Sequence, residues 1–331
     1  MTKKQKAGLE DLVALTEKHH SILLENGVNT ITQLVDLSPL ELKAVLDTTL
    51  NRATLILKEA KLNLPPFQVQ TGKQILLDNK NKNYISTRCK AIDSLLGGRG
   101  LESGAITEIF AQYGTGKSQF AFSSIVSALL GQGPEDRGSV IFIDTEGTCS
   151  PERVLQIAKC YEPDLQEEEI LQNLKIIKPG TAIEQKAIVR LFLEKEGLGY
   201  LDYMKLDSPL KLLVVDSLTG LFRAEFVGRG LLSERQQKLN EHMRDIYTFA
   251  VKNKIPALVT NQVMNSPDPF TFGDIPVGGH IVAHASTFRV RLVKKKNNRV
   301  AKMEDSSKLP ARQVPFKLGV KGVIDIDEDD E

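Results

Sequence analysis

The stretch Ala111-Gln-Tyr-Gly-Thr-Gly-Lys-Ser118 constrains this 331-residue chain more than any other. It follows the apolar run Ala105-Ile-Thr-Glu-Ile-Phe110 and precedes a helical pattern. A strand must therefore turn through glycines straight into a helix. Gly114 and Gly116 allow the tight backbone in which main-chain N–H groups surround phosphates. Ala111 occupies the place usually held by the first glycine of such loops. Lys117 would set its charge against the β- and γ-phosphates, and the Ser118 hydroxyl would ligate Mg2+. Ala111, Gln112, Tyr113, Gly114, Thr115, Gly116, Lys117 and Ser118 are the candidate ATP-binding residues. A glycine-rich turn with no ligand is the competing reading, and the strand before and helix after it speak against that.

Short apolar runs alternate with helical patterns beyond this loop: Ser139–Asp144, Leu212–Asp216 and Ile255–Thr260. That alternation predicts an α/β fold with a mostly parallel sheet covered on both faces. Ligands of such sheets bind at the carboxyl ends of the strands, which directs attention to the polar residues there. Asp216 would hold Mg2+, although a strand ending in Asp often does no more than cap a helix. Glu146, in Asp144-Thr-Glu-Gly147, could polarise an attacking water or belong to a plain acidic turn. Gln262 could offer a neutral donor to a γ-phosphate. Phe288-Arg-Val-Arg-Leu-Val293 alternates apolar and basic residues, and Lys294–Asn298 reads as a hairpin turn.

Residues 1–62 show helical spacing of Leu9, Leu12 and Val13 and of Leu40, Leu42, Val45 and Leu46, with Ser38-Pro39 as a helix start. Leu64-Pro-Pro66 breaks that pattern, and the polar stretch 67–84 suits an exposed linker. No run reaches the roughly 18 apolar residues of a membrane span. Three cysteines without metal spacing (Cys89, Cys149, Cys160) and no apolar leader after the basic start point to an intracellular, cytoplasmic protein. Lys and Arg number 43 against 42 Asp and Glu, a net charge of +1 that argues against a dedicated polyanion binder. Its distribution is uneven. Seven basic residues and no acid occupy 289–302, and six of the seven residues 325–331 are acidic. The usual meanings are a solvated basic face and a solubilising tail.

Several segments, in order, resemble one family: Pro151-Glu-Arg153, Phe222-Arg-Ala-Glu-Phe-Val-Gly-Arg-Gly230, Glu234-Arg-Gln-Gln-Lys-Leu-Asn240, Thr260-Asn-Gln-Val-Met264, Val277-Gly-Gly-His280 and Ala283-His-Ala-Ser286. With the phosphate loop they are similar to the archaeal RadA recombinases, RecA-type strand-exchange ATPases. The similarity covers 85–331 closely and 1–62 loosely. It implies a RecA-like P-loop ATPase core over 85–331, with two DNA-binding loops and an acidic tail. A linker with an oligomerisation segment (63–84) and a small all-α helix-hairpin-helix-like domain (1–62) would precede it. It implies ATP and Mg2+, and potassium as a further cation near Asp305. Glu146 would be the catalytic carboxylate, with Lys117 and Gln262 acting beside it, Gln262 as γ-phosphate sensor. Arg153 would stack on adenine. Asp305 and Pro310 would cap a neighbouring subunit's ATP, and His284 would approach the γ-phosphate across that interface.

The implied partners are single- and double-stranded DNA, further copies of the chain in a ring or helical filament, and recombination mediator proteins, in a nucleoid-associated location. Arg223, Arg229 and Arg235 lie beside Gly228 and Gly230, a basic mobile stretch suited to a phosphate backbone. Surface arginines at a helix entry are the alternative. Residues Asn265–Ile275 read as an exposed loop whose Phe270 and Phe272 either stack on bases or pack inside.

The chain departs from the family pattern in places. The linker motif Phe-x-x-Ala is here Phe67-Gln-Val-Gln70, so Phe67 can fill a partner's pocket but Gln70 does not match the small residue. The segment Leu15–His20 lacks the hairpin glycines that offer N–H groups to phosphates. Arg88-Cys89 replaces Gly-Ser, and Gly97-Gly-Arg-Gly100 is one residue longer. These departures leave a second reading, a weakly catalytic paralogue that regulates filaments.

Overall fold

The computed structural model describes residues 8–35, 37–63, 71–193, 204, 206–265, 274–295 and 298–326. Phe67, Phe270, Phe272 and Lys296 lie outside the described residues. The chain divides into two compact units, Met1–Lys80 and Asn81–Glu331.

The first unit is helical. Its helices are α1 (Glu17–Glu25), α2 (Ile31–Val35), α3 (Pro39–Leu46), α4 (Leu50–Asn63) and α5 (Gly72–Lys80). Ser38 starts α3 as the sequence suggests: its hydroxyl accepts the Glu41 N–H at 3.1 Å, and Glu41 accepts the Ser38 N–H at 2.6 Å. Leu23, Leu34, Leu42 and Ile56 fill the core between these helices. The first turn differs from expectation. Leu9–Asp11 forms a single 3-10 turn, and Val13 points to water. The linker also differs, since α5 is a helix, although none of its residues is buried.

The second unit is built on a mixed sheet. Its strands are β3 (Ile106–Ala111), β4 (Ser139–Asp144), β5 (Leu174–Ile177), β6 (Leu210–Asp216), β7 (Ala257–Asn265), β9 (Phe288–Lys295), β10 (Asn298–Ser306), β11 (Gln313–Gly319) and β12 (Gly322–Ile324), in the order β12-β11-β10-β9-β3-β7-β6-β4-β5. From β9 to β5 neighbours run parallel, and from β9 to β12 antiparallel. A short strand β8 (Asp274–Pro276) pairs with the end of β7, and β1 (Tyr84–Ile85) pairs with β2 (Leu101–Glu102). The parallel strands are almost wholly apolar because helices cover both faces. Helix α7 (Lys117–Leu130) lies on one face, buried from Phe120 to Leu130. Helices α10 (Ala182–Leu193) and α12 (Leu232–Asn253) cover the other, where Phe192, Met243, Ile246 and Phe249 meet Ile141, Leu213 and Val259.

Two features of the second unit correct the sequence reading. Strands β9 and β10 pair antiparallel with Lys295 in register with Asn298, as hairpin arms do, but the basic strand is not simply a wet face. Arg289 is 8% exposed, and its Nε donates to Glu108 Oε2 at 2.7 Å. The acidic tail is also tethered at its start. Asp325 accepts the Lys90 and Ala91 N–H groups, at 2.9 and 2.7 Å, at the head of α6 (Lys90–Leu95). The Arg88 that departs from the family glycine keeps a left-handed backbone, φ 63°, and its guanidinium sits 4.4 Å from the Tyr161 ring.

Glu108 is fully buried in the sheet centre and has two partners there. One is Arg289; the other is Asn261, whose Nδ2 donates to Oε1 at 2.7 Å. Asn261 Oδ1 in turn accepts from the Thr219 hydroxyl at 2.8 Å and the Gln262 N–H at 2.9 Å. Removing one partner of a buried ion pair strands the other charge in a low dielectric. Arg289→Ala is expected to cost about 3–5 kcal/mol in urea unfolding, and the double change Glu108→Leu with Arg289→Met far less.

Candidate nucleotide and DNA site

The carboxyl ends of the parallel strands bring the expected residues together. Ala111, at the end of β3, lies in register with Gln262 on β7, and Asp144 with Asp216 across β4 and β6. The loop from Gln112 turns through Gly114 (φ 71°) and Gly116 (φ 116°) into α7. The main-chain N–H groups from Gly114 to Ser118 donate no hydrogen bond within the described residues. A row of unpaired donors at a helix head is an anion cradle, so the loop fits a polyphosphate.

Two side chains hold this loop from outside. Arg299 Nε, on β10, donates to the Thr115 carbonyl at 2.9 Å. Leu318 on β11 stands so close that a Cβ on Gly116 would meet its Cδ1 at 2.8 Å. Neither contact was legible in the sequence, since both residues lie about two hundred positions downstream. Tyr113, by contrast, is fully exposed at the loop's crest.

Lys117 Nζ rests on the loop's own carbonyls, Ala111 O at 3.1 Å and Gln112 O at 3.3 Å. Burial lowers its pKa, and the charges of Asp216 and Glu146 oppose that shift. Asp216 is shifted the other way. Burial raises its pKa and Glu146 adds to the rise, while hydrogen bonds from Thr260 and Ser118 and the charge of Lys117 pull it down. Thr260 and, at 3.4 Å, Thr148 also reach this carboxylate, two contacts the sequence reading missed. Thr145 ties the strand tips together, accepting from the Ser217 N–H at 2.9 Å.

Ser118 thus lies near enough to Asp216 to help hold that carboxylate's pKa down, which leaves one hydroxyl and one carboxylate available beside the phosphate loop. Among the described residues no cluster of three or more His, Cys, Asp or Glu side chains forms. That sparse oxygen set fits Mg2+, which keeps its waters and takes phosphate oxygens for the rest of its shell.

Glu146 and Gln262 meet directly. Gln262 Nε2 donates to Glu146 Oε1 at 2.7 Å, and Gln262 Oε1 accepts from Arg223 Nη1 at 3.0 Å. Arg223 lies on α11 (Gly220–Glu225), so this line runs from the first arginine stretch to the carboxylate beyond β4. A second tie joins Gln112 Nε2 to Asp274 Oδ2 at 2.5 Å, where β8 begins. The loop between β7 and β8 is thereby attached to the nucleotide site at both stems.

Other expected residues are more scattered. The Arg153 guanidinium binds Gln119 Oε1 at 3.0 Å and the Gly319 and Val320 carbonyls at 2.6 and 2.9 Å. It thus clamps the β11–β12 turn over the start of α7. Arg229 begins a 3-10 turn ahead of α12, and Arg235 is half-buried on that helix. His284 ends α13 (Gly279–Ala285), its ring 6.0 Å from that of His280. Asp305 is exposed near the end of β10 in register with Arg289, and Pro310 is exposed beyond it. Within the described residues none of His284, Asp305 and Pro310 hydrogen-bonds to the phosphate loop of its own chain.

Residues 79–326 match the family model described as Rad51. The chain is 37% identical over 332 residues to a DNA repair and recombination protein RadA from Cenarchaeum symbiosum, covering 97% of this chain and 79% of that protein. It is 35% identical over 333 residues to the protein of the same name from Metallosphaera sedula, covering 98% of each.

Gly116→Ala is expected to weaken binding of a fluorescent ATP analogue about tenfold or more, because a side chain at that φ costs about 1–3 kcal/mol. Adding Leu318→Ala removes the clash but leaves the backbone strain, so the double variant should recover only part of the affinity.

Proposed function

The chain belongs to the Rad51 family, and on that footing we propose a DNA repair and recombination protein whose ATP hydrolysis depends on DNA. It would assemble on single-stranded DNA, as a helical filament or ring, and carry out homologous pairing and strand exchange with a duplex. The observation that carries this reading is the hydrogen-bonded line Glu146–Gln262–Arg223. One residue at a strand end touches both a carboxylate suited to water activation and an arginine suited to a nucleic-acid backbone.

In the reaction Glu146 would orient the attacking water in line with the γ-phosphate. Lys117 would leave the Ala111 and Gln112 carbonyls for the β- and γ-phosphates, where its charge opposes the negative charge of the transition state. Mg2+, held by Ser118 and Asp216, would supply charge neutralisation on the phosphate oxygens. Gln262 would report the γ-phosphate to the β7–β8 loop. Arg153 would flank the adenine, held for that role by the carbonyls it already grips. Among the described residues, His284, Asp305 and Pro310 make no hydrogen bond to their own phosphate loop, and they would complete a neighbour's site. In that arrangement ATP is contacted from two subunits, and its presence favours the assembled state. Phe67 would supply part of the subunit contact. No helix among the described residues is long and apolar enough to cross a membrane.

Single-stranded DNA is expected to stimulate ATP turnover, and Lys117→Ala to abolish it. Turnover indifferent to DNA would sink the proposal. Negative-stain images with ATP and single-stranded DNA should show long helical filaments, whereas isolated particles would favour a filament regulator. Turnover should also be faster in potassium than in sodium, through a cation near Asp305; equal rates would remove that cation from the account.

A further inference from the structure

Arg223 does more in this fold than offer charge to a nucleic acid. Its Nη1 donates to Gln262 Oε1 at 3.0 Å, and the same amide turns its Nε2 to Glu146 at 2.7 Å. An amide that accepts on one end and donates on the other has a fixed orientation. Arg223 and Glu146 together fix which way Gln262 faces: the guanidinium holds the Oε1 end and the carboxylate accepts from the Nε2 end. Glu146 in turn has one oxygen engaged by an N–H.

The surroundings hold Arg223 in this position without sealing it. Phe222, beside it on α11, is buried and stacks on His242 at 5.8 Å, which fixes the helix. The α11 backbone is pinned from below, because the Arg223 N–H reaches the Thr219 carbonyl at 3.0 Å and the Thr219 hydroxyl reaches Asn261 at 2.8 Å. The Arg223 side chain itself is exposed, so a phosphate from solvent can compete for it. A phosphate oxygen carries formal negative charge where the amide oxygen carries none, so it is the stronger acceptor for the guanidinium.

We propose that Arg223 is a positioning residue for hydrolysis. With no DNA bound it holds Gln262 on Glu146 and keeps both from the γ-phosphate. A DNA phosphate that takes the guanidinium releases the amide, which can then rotate toward the nucleotide. The inference rests on the reading of the site as a DNA-dependent ATPase, and it assigns the source of that dependence to one side chain. Gln112 is tied separately to Asp274 at the start of β8, so release of the Gln262 side chain leaves that contact and the β7 backbone in place.

The test measures ATP turnover by full-length Arg223→Ala and Arg223→Lys proteins without DNA, alongside DNA affinity and amide exchange over β7. If Arg223 restrains Gln262, DNA-free kcat rises about fivefold in Arg223→Ala with KM little changed, as expected when one hydrogen bond of ordinary strength is lost. Amide exchange over 261–264 quickens in the same variant. Arg223→Lys keeps the charge but cannot repeat the planar contact, so it should keep most of the DNA affinity while still raising DNA-free kcat. The proposal is overturned if both variants keep the wild-type DNA-free kcat and lose only DNA affinity, or if Arg223→Ala loses DNA-free turnover while unfolding at the wild-type temperature. Wild-type turnover that ignores DNA is a separate result, which would remove the functional reading whatever the variants do without DNA.

Discussion

A single buried carboxylate holds the active end of this molecule together. Glu108 sits in β3, which leads into the phosphate loop. Its partners are Asn261 on β7, one residue before Gln262, and Arg289 on β9, which leads to the β9–β10 hairpin. A charge with no access to water must be matched by donors in good geometry. The requirement couples three strands whose ends do three different things. Any shift of β7 relative to β3 would break the Asn261 contact before it moved Gln262 far. The sheet thus acts as a stiff frame, and the parts free to change are the side chains beyond it.

Those parts are small. Lys117 rests on the loop's own carbonyls, and Gln262 lies between Glu146 and Arg223. Asp216 holds two threonine hydroxyls and one serine hydroxyl at its oxygens. Lys117, Glu146, Asp216 and Gln262 each have a protein partner, whereas the N–H groups of the loop have none among the described residues. This is the pattern expected where a ligand replaces weak internal contacts with stronger charge-assisted ones.

Much of this was legible in the sequence, and the legible parts share a cause. The phosphate loop, Asp216, Glu146 and Gln262 sit at ends of apolar runs, and those runs are set by local pattern. Strand β4 spans the six residues, Ser139–Asp144, that the apolar run marks. The basic stretch 289–302 misled for the opposite reason. Alternation shows that Arg289 shares a face with Arg291, but not that a carboxylate from β3 waits under that face. The same holds for Arg299 and Leu318, whose partners are set by the order in which strands lie side by side. The N-terminal α5 is a third case. The polar stretch 67–84 that contains it fits exposure, and none of the helix is buried, but composition does not distinguish an exposed helix from an exposed coil.

The wall that Leu318 and the Arg153 clamp make around the phosphate loop has a consequence for how the protein comes into being. The loop itself is synthesised about two hundred residues before its lining, which arrives with β10 and β11. Strand β3 likewise has to wait for β9 to cover one edge. A growing chain on the ribosome therefore carries the glycines, the lysine and the serine long before it owns a closed pocket. Closure of the loop's wall is thereby deferred until β11 has been made, and a chain that stops short of it carries the loop without its lining.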